Sequence, residues 1–310
     1  GYATNVLEVE QYGFGGGLNI RDSTLKIISC LISNNWAVGP MPYAYKPTEG
    51  GGIYIQDSTV IITNCIIVKN TAYGWGYGIR TYGGGVAVAN GNLEVVKTVL
   101  ADNISRSKMG YGSRASGGGF YANEGIHHLR NCIISDNICT TADYKYACGI
   151  ELQNGNLLVE NCTIVGNGAE GVRRWAGLLV ISNSIVWWPN GDDLVNMASN
   201  AAGELTYVFY TCVEDGDNNG IKGCFRADPL FVNTNYYHLK SKAGNYVGGY
   251  FSGGYWSFSK TNSPCIDAGS PDADYANEPA PNNRRINLGA YGNTGVASRS
   301  YTKGTIVLVR

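Results

Sequence analysis

Arginine, tyrosine and tryptophan side chains gather in the variable segments that separate five stretches of this sequence with a common residue spacing. These three residue types dominate contact energies at binding surfaces, and the segments hold almost no acids. We therefore expect these segments to project as loops from one edge of the molecule and to form a contact ridge for a glycan or for another copy of the chain. The alternative is that the rings pack over the flank of the molecule. The ridge residues are Trp36, Tyr43, Tyr45, Tyr73, Trp75, Tyr77, Arg80, Tyr111, Arg114, Tyr144, Tyr146, Arg173, Arg174 and Trp175.

Acid–base and metal chemistry has few candidates. The Asn-Gly-Asp-Asp stretch at residues 190–193 resembles one carboxylate motif of polygalacturonases, but their Gly-His-Gly and Arg-Ile-Lys motifs are absent, so a solvated turn is the preferred interpretation. His127 and His128 are neighbours in a predicted strand and therefore face opposite sides, which prevents simple binding of one metal ion. His127 falls in an apolar column and is expected to face the core. We predict no catalytic residue, no metal site and no cofactor.

A strict internal repeat organises the first half of the chain. The five copies align on Gly17, Gly52, Gly85, Gly119 and Gly149, each the last glycine of the run that opens its copy, and recur every 30 to 35 residues. Thirteen residues after that glycine stand Cys30, Cys65, Thr98, Cys132 and Cys162. Eighteen residues after it stand Asn35, Asn70, Asn103, Asn137 and Asn167. Such a constant register predicts a stack of identical units.

Each copy contains apolar residues that alternate with period two and are rich in β-branched types, which indicates strands separated by turns. One unit cannot bury its own apolar face, whereas stacked units can. We therefore predict an all-β fold, a right-handed parallel β-helix built as a single-stranded solenoid. About seven coils are expected in residues 1–225, with an irregular closing region in residues 226–310. The cysteine column is interpreted as a stack of small buried thiols and the asparagine column as an amide ladder at a corner.

The C-terminal third carries a family resemblance. Its motifs are DPLF at 228–231, HL at 238–239, SPCIDAG at 263–269 and GAYG at 289–292. They resemble the closing region of secreted bacterial right-handed parallel β-helix repeat proteins, which have a pectate-lyase-like scaffold. The GGG…N repeats look like those of adhesin-type surface proteins. The resemblance implies export and a cell-surface or extracellular location. It implies no single activity, since this scaffold hosts lyases, hydrolases, adhesins and structural proteins.

Charge and cysteine content narrow the partners. The formal net charge is -1 and charged residues make up 15%, which gives no reason to expect nucleic acid or an anionic membrane. No apolar run is long enough for a membrane span, and the chain opens without a signal peptide, so we expect a mature or trimmed product.

The chain has nine cysteines, so at least one thiol stays unpaired even if all the others form disulfides. Cys139 with Cys148, and Cys224 with Cys265, are candidate disulfide pairs.

These observations lead to one expectation and two alternatives. We expect a secreted, non-catalytic structural or adhesive surface protein that self-assembles head-to-tail into an extracellular filament. Its partners would be other copies of itself or an extracellular polysaccharide. The alternatives are a polysaccharide lyase or glycoside hydrolase, and a glycan-binding module. A β-prone terminal strand could add to the open first coil of a neighbour. Its residues are Thr305, Ile306, Val307, Leu308 and Val309.

Overall fold

The computed structural model describes residues 2–3, 13–39, 47–108, 111–141, 143–187, 194–196, 206–216 and 218–301. Within these ranges the chain consists of strands, turns and bends without a helix. Accordingly, no helix in this part of the chain could cross a membrane. Apart from one hairpin, every strand pairing is parallel. The terminal strand predicted at residues 305–309, Tyr43, Tyr45 and the stretch 190–193 lie outside the described residues.

The largest sheet, which we call the core sheet, receives two strands from each rung of the stack. Where the turn between the two strands is extended, as in Ile53–Thr63 and Val86–Val96, they merge into one. Same-position residues then lie directly above one another, as Ile55, Val88 and Ala122 do. The strands are Leu18–Arg21, Thr24–Ile28, Ile53–Thr63, Val86–Val96, Phe120–Ala122, Ile126–Arg130, Ile150–Leu152, Asn156–Glu160, Val172–Arg174, Leu178–Ser182, Leu194–Asn196 and Thr206–Phe209.

The chain then bends into a second sheet, the side sheet, which closes the other side of the apolar core. The bend needs a left-handed residue in each rung, because the backbone must reverse its curvature within one position. Its strands are Leu31–Ser33, Ile66–Val68, Val99–Ala101, Ile133–Ser135, Thr163–Val165, Ile185–Trp187 and Cys212–Val213. The left-handed residues before them, here called the bend column, are Ser29, Asn64, Lys97, Asn131, Asn161, Asn183 and Tyr210. Seven rungs are thus visible among the described residues, as predicted.

The segments after each ladder asparagine were predicted as projecting loops, and that prediction is wrong. They form two further parallel sheets, the outer and inner flange sheets. The outer strands are Tyr2–Ala3, Trp36–Val38, Thr71–Trp75, Ile104–Lys108 and Ile138–Thr140. The inner strands are Thr48–Glu49, Arg80–Tyr82, Arg114–Ser116 and Tyr144–Lys145. Backbone pairing with the neighbouring rungs orders segments whose individual sequences differ.

Small side chains allow the two flange sheets to pack closely face to face. Ala72 and Ser105 point from the outer sheet toward the inner one, and the Ser105 hydroxyl donates to the Thr81 carbonyl at 2.7 Å. A Cβ added to Gly74 would lie 2.2 Å from Cγ2 of Ile79. The flange is therefore a thin two-layer structure attached along one side of the stack.

The closing region packs along the side of the stack. Val99, Ile133 and Ile185 face outward from the side sheet and are buried in one cluster with Leu288 and Tyr291. The closing motifs thus contribute core residues to this cluster, namely Phe231, Leu239, Cys265, Ala290 and Tyr291. The Gly- and aromatic-rich segment after Ala243 contains an antiparallel hairpin, Asn245–Val247 with Tyr255–Ser257.

Candidate functional site

The asparagine column forms a continuous hydrogen-bonded ladder at the end of the side sheet. The Asn70 side-chain amide donates to Asn103 Oδ1 at 3.1 Å and to the Ile32 carbonyl at 2.9 Å. The same pattern repeats at Asn103 and Asn137, and the ladder ends at Asn167. Each backbone N–H from Asn35 to Asn137 also donates to the next amide oxygen. Because its amides are paired inside the molecule, the ladder serves the fold.

The cysteine column is a stack of thiols in the bend between the core and side sheets. Cys65, Cys132 and Cys162 are buried, whereas Cys30 in the first rung is exposed. Burial raises the pKa of the Cys162 thiol well above its usual range. All nine cysteines are free thiols, so neither candidate disulfide is present. The Cys139 N–H donates to Cys148 Sγ at 3.1 Å.

The outer flange sheet turns an aromatic and basic surface outward, which we call the outer platform. The ring centroids of Trp36 and Tyr73 are 6.0 Å apart, and the Arg106 guanidinium lies 6.0 Å from the Tyr73 centroid. Strand register places Arg106 beside Tyr73 and Lys108 beside Trp75. The outward residues are Trp36, Val38, Thr71, Tyr73, Trp75, Ile104, Arg106, Lys108, Ile138 and Thr140, and none is acidic. This surface can offer flat rings and positive charge to one extended ligand.

Other members of the predicted ridge lie elsewhere on the flange or in the core sheet. Tyr77, Arg80, Tyr111 and Tyr144 are exposed, with Tyr111 at 88% of its full accessibility. Arg174 is buried and donates to the Thr206 hydroxyl and to the Gly177 carbonyl, so its guanidinium is used inside the molecule.

The remaining ridge residues lie in the concave angle between the inner flange and the core sheet. Here arginines alternate with rings over several rungs, in what we call the arginine–aromatic row. Arg114 lies 4.7 Å from the ring centroids of both Tyr146 and Trp175, and Arg173 lies 4.6 Å from that of Tyr146. Such contacts are stabilising, more so when water is excluded. The row comprises Phe14, Arg21, Tyr54, Tyr82, Arg114, Tyr121, Tyr146, Arg173 and Trp175.

Two glutamates pair with Arg114 and Arg173 and so neutralise the positive charge of these two arginines in the row. Arg114 pairs with Glu151, whose side chain is 0% exposed, and Arg173 pairs with Glu170. Burial raises the pKa of Glu151 to about 6, and the neighbouring Arg114 limits the rise. Arg114 also donates to Gln153 Oε1 at 3.3 Å. The carboxylates are closed in between the flange and the core sheet, which suits fastening of the flange better than access for a substrate.

The histidines occupy the surroundings expected of them. His127 is 1% exposed, and its Nε2 lies 2.7 Å from the Glu124 carbonyl oxygen. Burial lowers its pKa. His128 faces outward and pairs with Glu160 at 3.3 Å. His238 stacks on Tyr291 with centroids 3.8 Å apart, inside the closing region. Among the described residues no group of three or more His, Cys, Asp or Glu side chains could hold a metal ion.

Sequence reasoning missed the pairing of Glu151 with Arg114. Glu151 belongs to a repeat column, but Arg114 comes from a variable segment, so no single column gathered both groups. One signal could have identified the pair: Glu151 is the single acid in its outward column. The same column holds neutral residues at the preceding rungs, namely Asn19, Tyr54, Ala87 and Tyr121.

Parallel rungs, an apolar interior and an internal amide ladder define this protein as a β-solenoid. A family model for the right handed beta helix region matches residues 4–186, more than half of the chain. The chain therefore belongs to the right-handed β-helix family, and the predicted fold class is confirmed. Comparison with curated proteins and with solved structures found no match.

Proposed function

We propose that this protein is a non-catalytic, extracellular adhesive β-helix that binds acidic polysaccharide along its outer platform. The single observation that carries the proposal is the register of Tyr73, Trp75, Arg106 and Lys108 on one acid-free sheet face. Aromatic rings offer flat apolar surfaces to sugar rings, and the two cations attract carboxylates or sulfates. The extracellular location rests on the family resemblance of the closing motifs.

The spacing of the platform suits an extended polymer. Neighbouring strands of a sheet lie about 4.8 Å apart, so the platform repeats its rings and charges at short intervals along the stack. The positive charge is a local feature of the platform, since the whole chain has a formal net charge of -1. A polymer that follows the stack would therefore gain several weak contacts at once, which is how repeated sites reach useful affinity.

The acidic groups between the flange and the core sheet support binding in preference to catalysis. General acid–base catalysis requires a carboxyl group within hydrogen-bond reach of the substrate. The Glu151 carboxyl is fully buried and already paired with Arg114, whose guanidinium lies against Tyr146 and Trp175. Glu151 and Arg114 therefore do not supply the acid and base that a lyase or hydrolase would need.

The test is binding to immobilised polygalacturonate, with its methyl ester as the uncharged counterpart. We expect the wild-type protein to bind the acid form and to lose affinity as salt rises, because exposed charges are screened. Replacing both rings, Tyr73→Ala with Trp75→Ala, should weaken binding about tenfold or more, as expected for ring contacts. Arg106→Gln with Lys108→Gln should abolish the preference for the acid over the ester.

The matched control is Tyr255→Ala with Phe258→Ala, two rings of the closing region that are 65% and 73% exposed. This variant should bind as the wild type does. Equal losses in the control and platform variants would contradict the proposal, and so would undiminished binding by the platform variants.

Head-to-tail assembly is a second candidate, favoured by the exposed end of the first rung. Leu25 is 39% exposed although its register partner Val60 is 1% exposed. A second copy stacked on this end would bury Leu25. Leu25→Gln should then abolish assemblies seen by light scattering and negative-stain microscopy. Ile126→Gln, at a position 62% exposed in the fourth rung, is the control.

Deleting residues 305–310 tests, in the same assay, whether the terminal strand takes part in assembly. Filaments that survive the deletion would remove that strand from the assembly, and a strictly monomeric wild-type protein at high concentration would remove the assembly itself.

A further inference from the structure

The bend column changes its partner along the stack. In the fourth rung, the Asn131 amide donates to the carbonyls of Ala290 and Gly292 at 3.0 and 2.8 Å. In the sixth rung, Asn183 Oδ1 accepts the Ser270 N–H at 2.7 Å. The closing region is therefore held to the stack partly by polar side chains of this column.

The closing region covers the side sheet only as far as the third rung, whereas the bend column continues into the second and first rungs. The outward side-sheet residue of the third rung, Val99, is 1% exposed, whereas Ile66 in the second rung is 36% exposed. Asn64 and Lys97 are the bend-column residues there, and their side chains make no hydrogen bond to another described residue. Side chains that elsewhere bind the closing region are thus available at these rungs.

A cleft of about 680 Å³ lies at this boundary. Its floor is Cys65, Ile66 and Val99, and Ser29, Asn64 and Lys97 form one wall. The opposite wall is Tyr236, Gly249, Tyr250, Phe251 and Ser252 from the closing region. Two contacts fix this second wall: Tyr236 and Tyr250 meet edge to face at 5.0 Å, and Phe251 packs at 5.3 Å from Tyr291. The volume falls in the range of small-molecule sites.

We propose that this cleft is a second binding site, for a short acidic oligosaccharide. The rings of Tyr250 and Phe251 and the side chain of Ile66 give apolar faces for sugar rings, and Asn64, Ser29 and Ser252 give hydrogen-bonding groups for hydroxyls. Lys97 gives the charge for a carboxylate. It lies in the bend-column wall of the cleft, so the carboxylate binds at that wall.

The cleft shares no residue with the outer platform, so the two sites respond to different variants. The probe is trigalacturonic acid, measured by isothermal titration, with its methyl ester as the neutral counterpart. We expect the wild-type protein to bind the acid, Phe251→Ala to reduce affinity at least tenfold, and Lys97→Met to remove the preference for the acid over the ester. The controls are Phe258→Ala and Lys69→Met, which change an aromatic ring and a lysine away from the cleft.

The outcomes separate this site from the proposed function. Trisaccharide binding that falls with Phe251→Ala and not with the Tyr73→Ala, Trp75→Ala variant supports the cleft, whether or not the polymer binds the platform. Trisaccharide binding that falls only with the platform variant overturns the cleft and leaves the platform standing. A wild-type protein that binds polygalacturonate without binding the trisaccharide likewise overturns the cleft alone. Cleft variants with unchanged far-ultraviolet circular dichroism exclude unfolding as the cause of any loss.

Discussion

Replacing Asn103 with alanine should cost more stability than any exposed asparagine substitution in the chain. Asn103 is fully buried at the centre of the amide ladder. Its amide donates to Asn137 Oδ1 at 3.1 Å and to the Ile67 carbonyl at 2.9 Å. Its oxygen accepts the backbone and side-chain N–H groups of Asn70 at 3.0 and 3.1 Å. Alanine removes all four hydrogen bonds and leaves their partners inside the protein.

The magnitude follows from these bonds. A typical internal hydrogen bond contributes about 1 kcal/mol net, and a buried group left without a partner costs about 1–3 kcal/mol. Four lost bonds with several stranded partners therefore predict a decrease of about 4–6 kcal/mol in the free energy of unfolding. Asn90→Ala is the control, because Asn90 is exposed and its amide donates to the exposed Asp57. We expect the control to lose less than about 1 kcal/mol.

Asn103→Asp is a second test variant, because it keeps the shape of the side chain and removes the two N–H donors of the amide. At neutral pH its carboxylate would face the Asn137 and Ile67 oxygens, so the loss should equal or exceed that of alanine. Burial would raise the pKa of this new carboxyl. The loss should therefore shrink as pH falls, when the protonated form regains one donor.

Urea unfolding followed by circular dichroism measures all three variants against the wild type at each pH. A loss from Asn103→Ala as small as that from Asn90→Ala would refute the argument. An Asn103→Asp loss that does not depend on pH would show that the ladder is open to water.

Three further predictions concern the closing region and the flange. Burial raises the pKa of Glu278 to about 7 from 4.5, so its stabilising contribution is complete below pH 4.5 and is lost as pH rises through 7. In the wild type, this carboxyl should lower the free energy of unfolding by about 3 kcal/mol between pH 4.5 and 8, and Glu278→Gln should remove that decrease. An unchanged dependence of the free energy of unfolding on pH, measured by urea unfolding, would contradict this. Arg114→Met leaves the buried Glu151 carboxylate without its cation and should cost about 3 kcal/mol, whereas adding Glu151→Gln should restore much of the loss in a double-mutant cycle. Gly74→Val should cost about 1–3 kcal/mol because the flange sheets cannot separate freely, with Gly295→Ala, which meets open space, as the control. Equal urea midpoints for these two glycine variants would show that the flange is not closely packed.

The rungs were predictable because their register repeats. Alternation at equivalent offsets identifies strands, and five copies at one spacing identify a stack, so Ile55, Val88 and Ala122 could be placed in one column from sequence alone. The asparagine and cysteine columns followed from the same register. The family match covers residues 4–186 and so leaves out the closing motifs, whose packing against Val99 and Ile133 has no periodic signal.

The flange could not be predicted because its order comes from neighbouring rungs. Thr71–Trp75 and Ile104–Lys108 share no sequence pattern, yet they pair in register since the rungs beneath them hold their starts at a fixed spacing. The ladder asparagines Asn70 and Asn103 immediately precede these strands and fix that spacing.

This arrangement separates the requirements of the fold from those of the surface. The strands beyond the ladder are positioned by their backbones, so their outward side chains, such as Tyr73 and Arg106, are free of any packing role in the solenoid core. The inward positions are restricted to small residues, as Ala72 and Ser105 show. A chain built this way can change its outer platform by altering outward residues alone, and a lost amide in the ladder would disturb the platform before it disturbed the core.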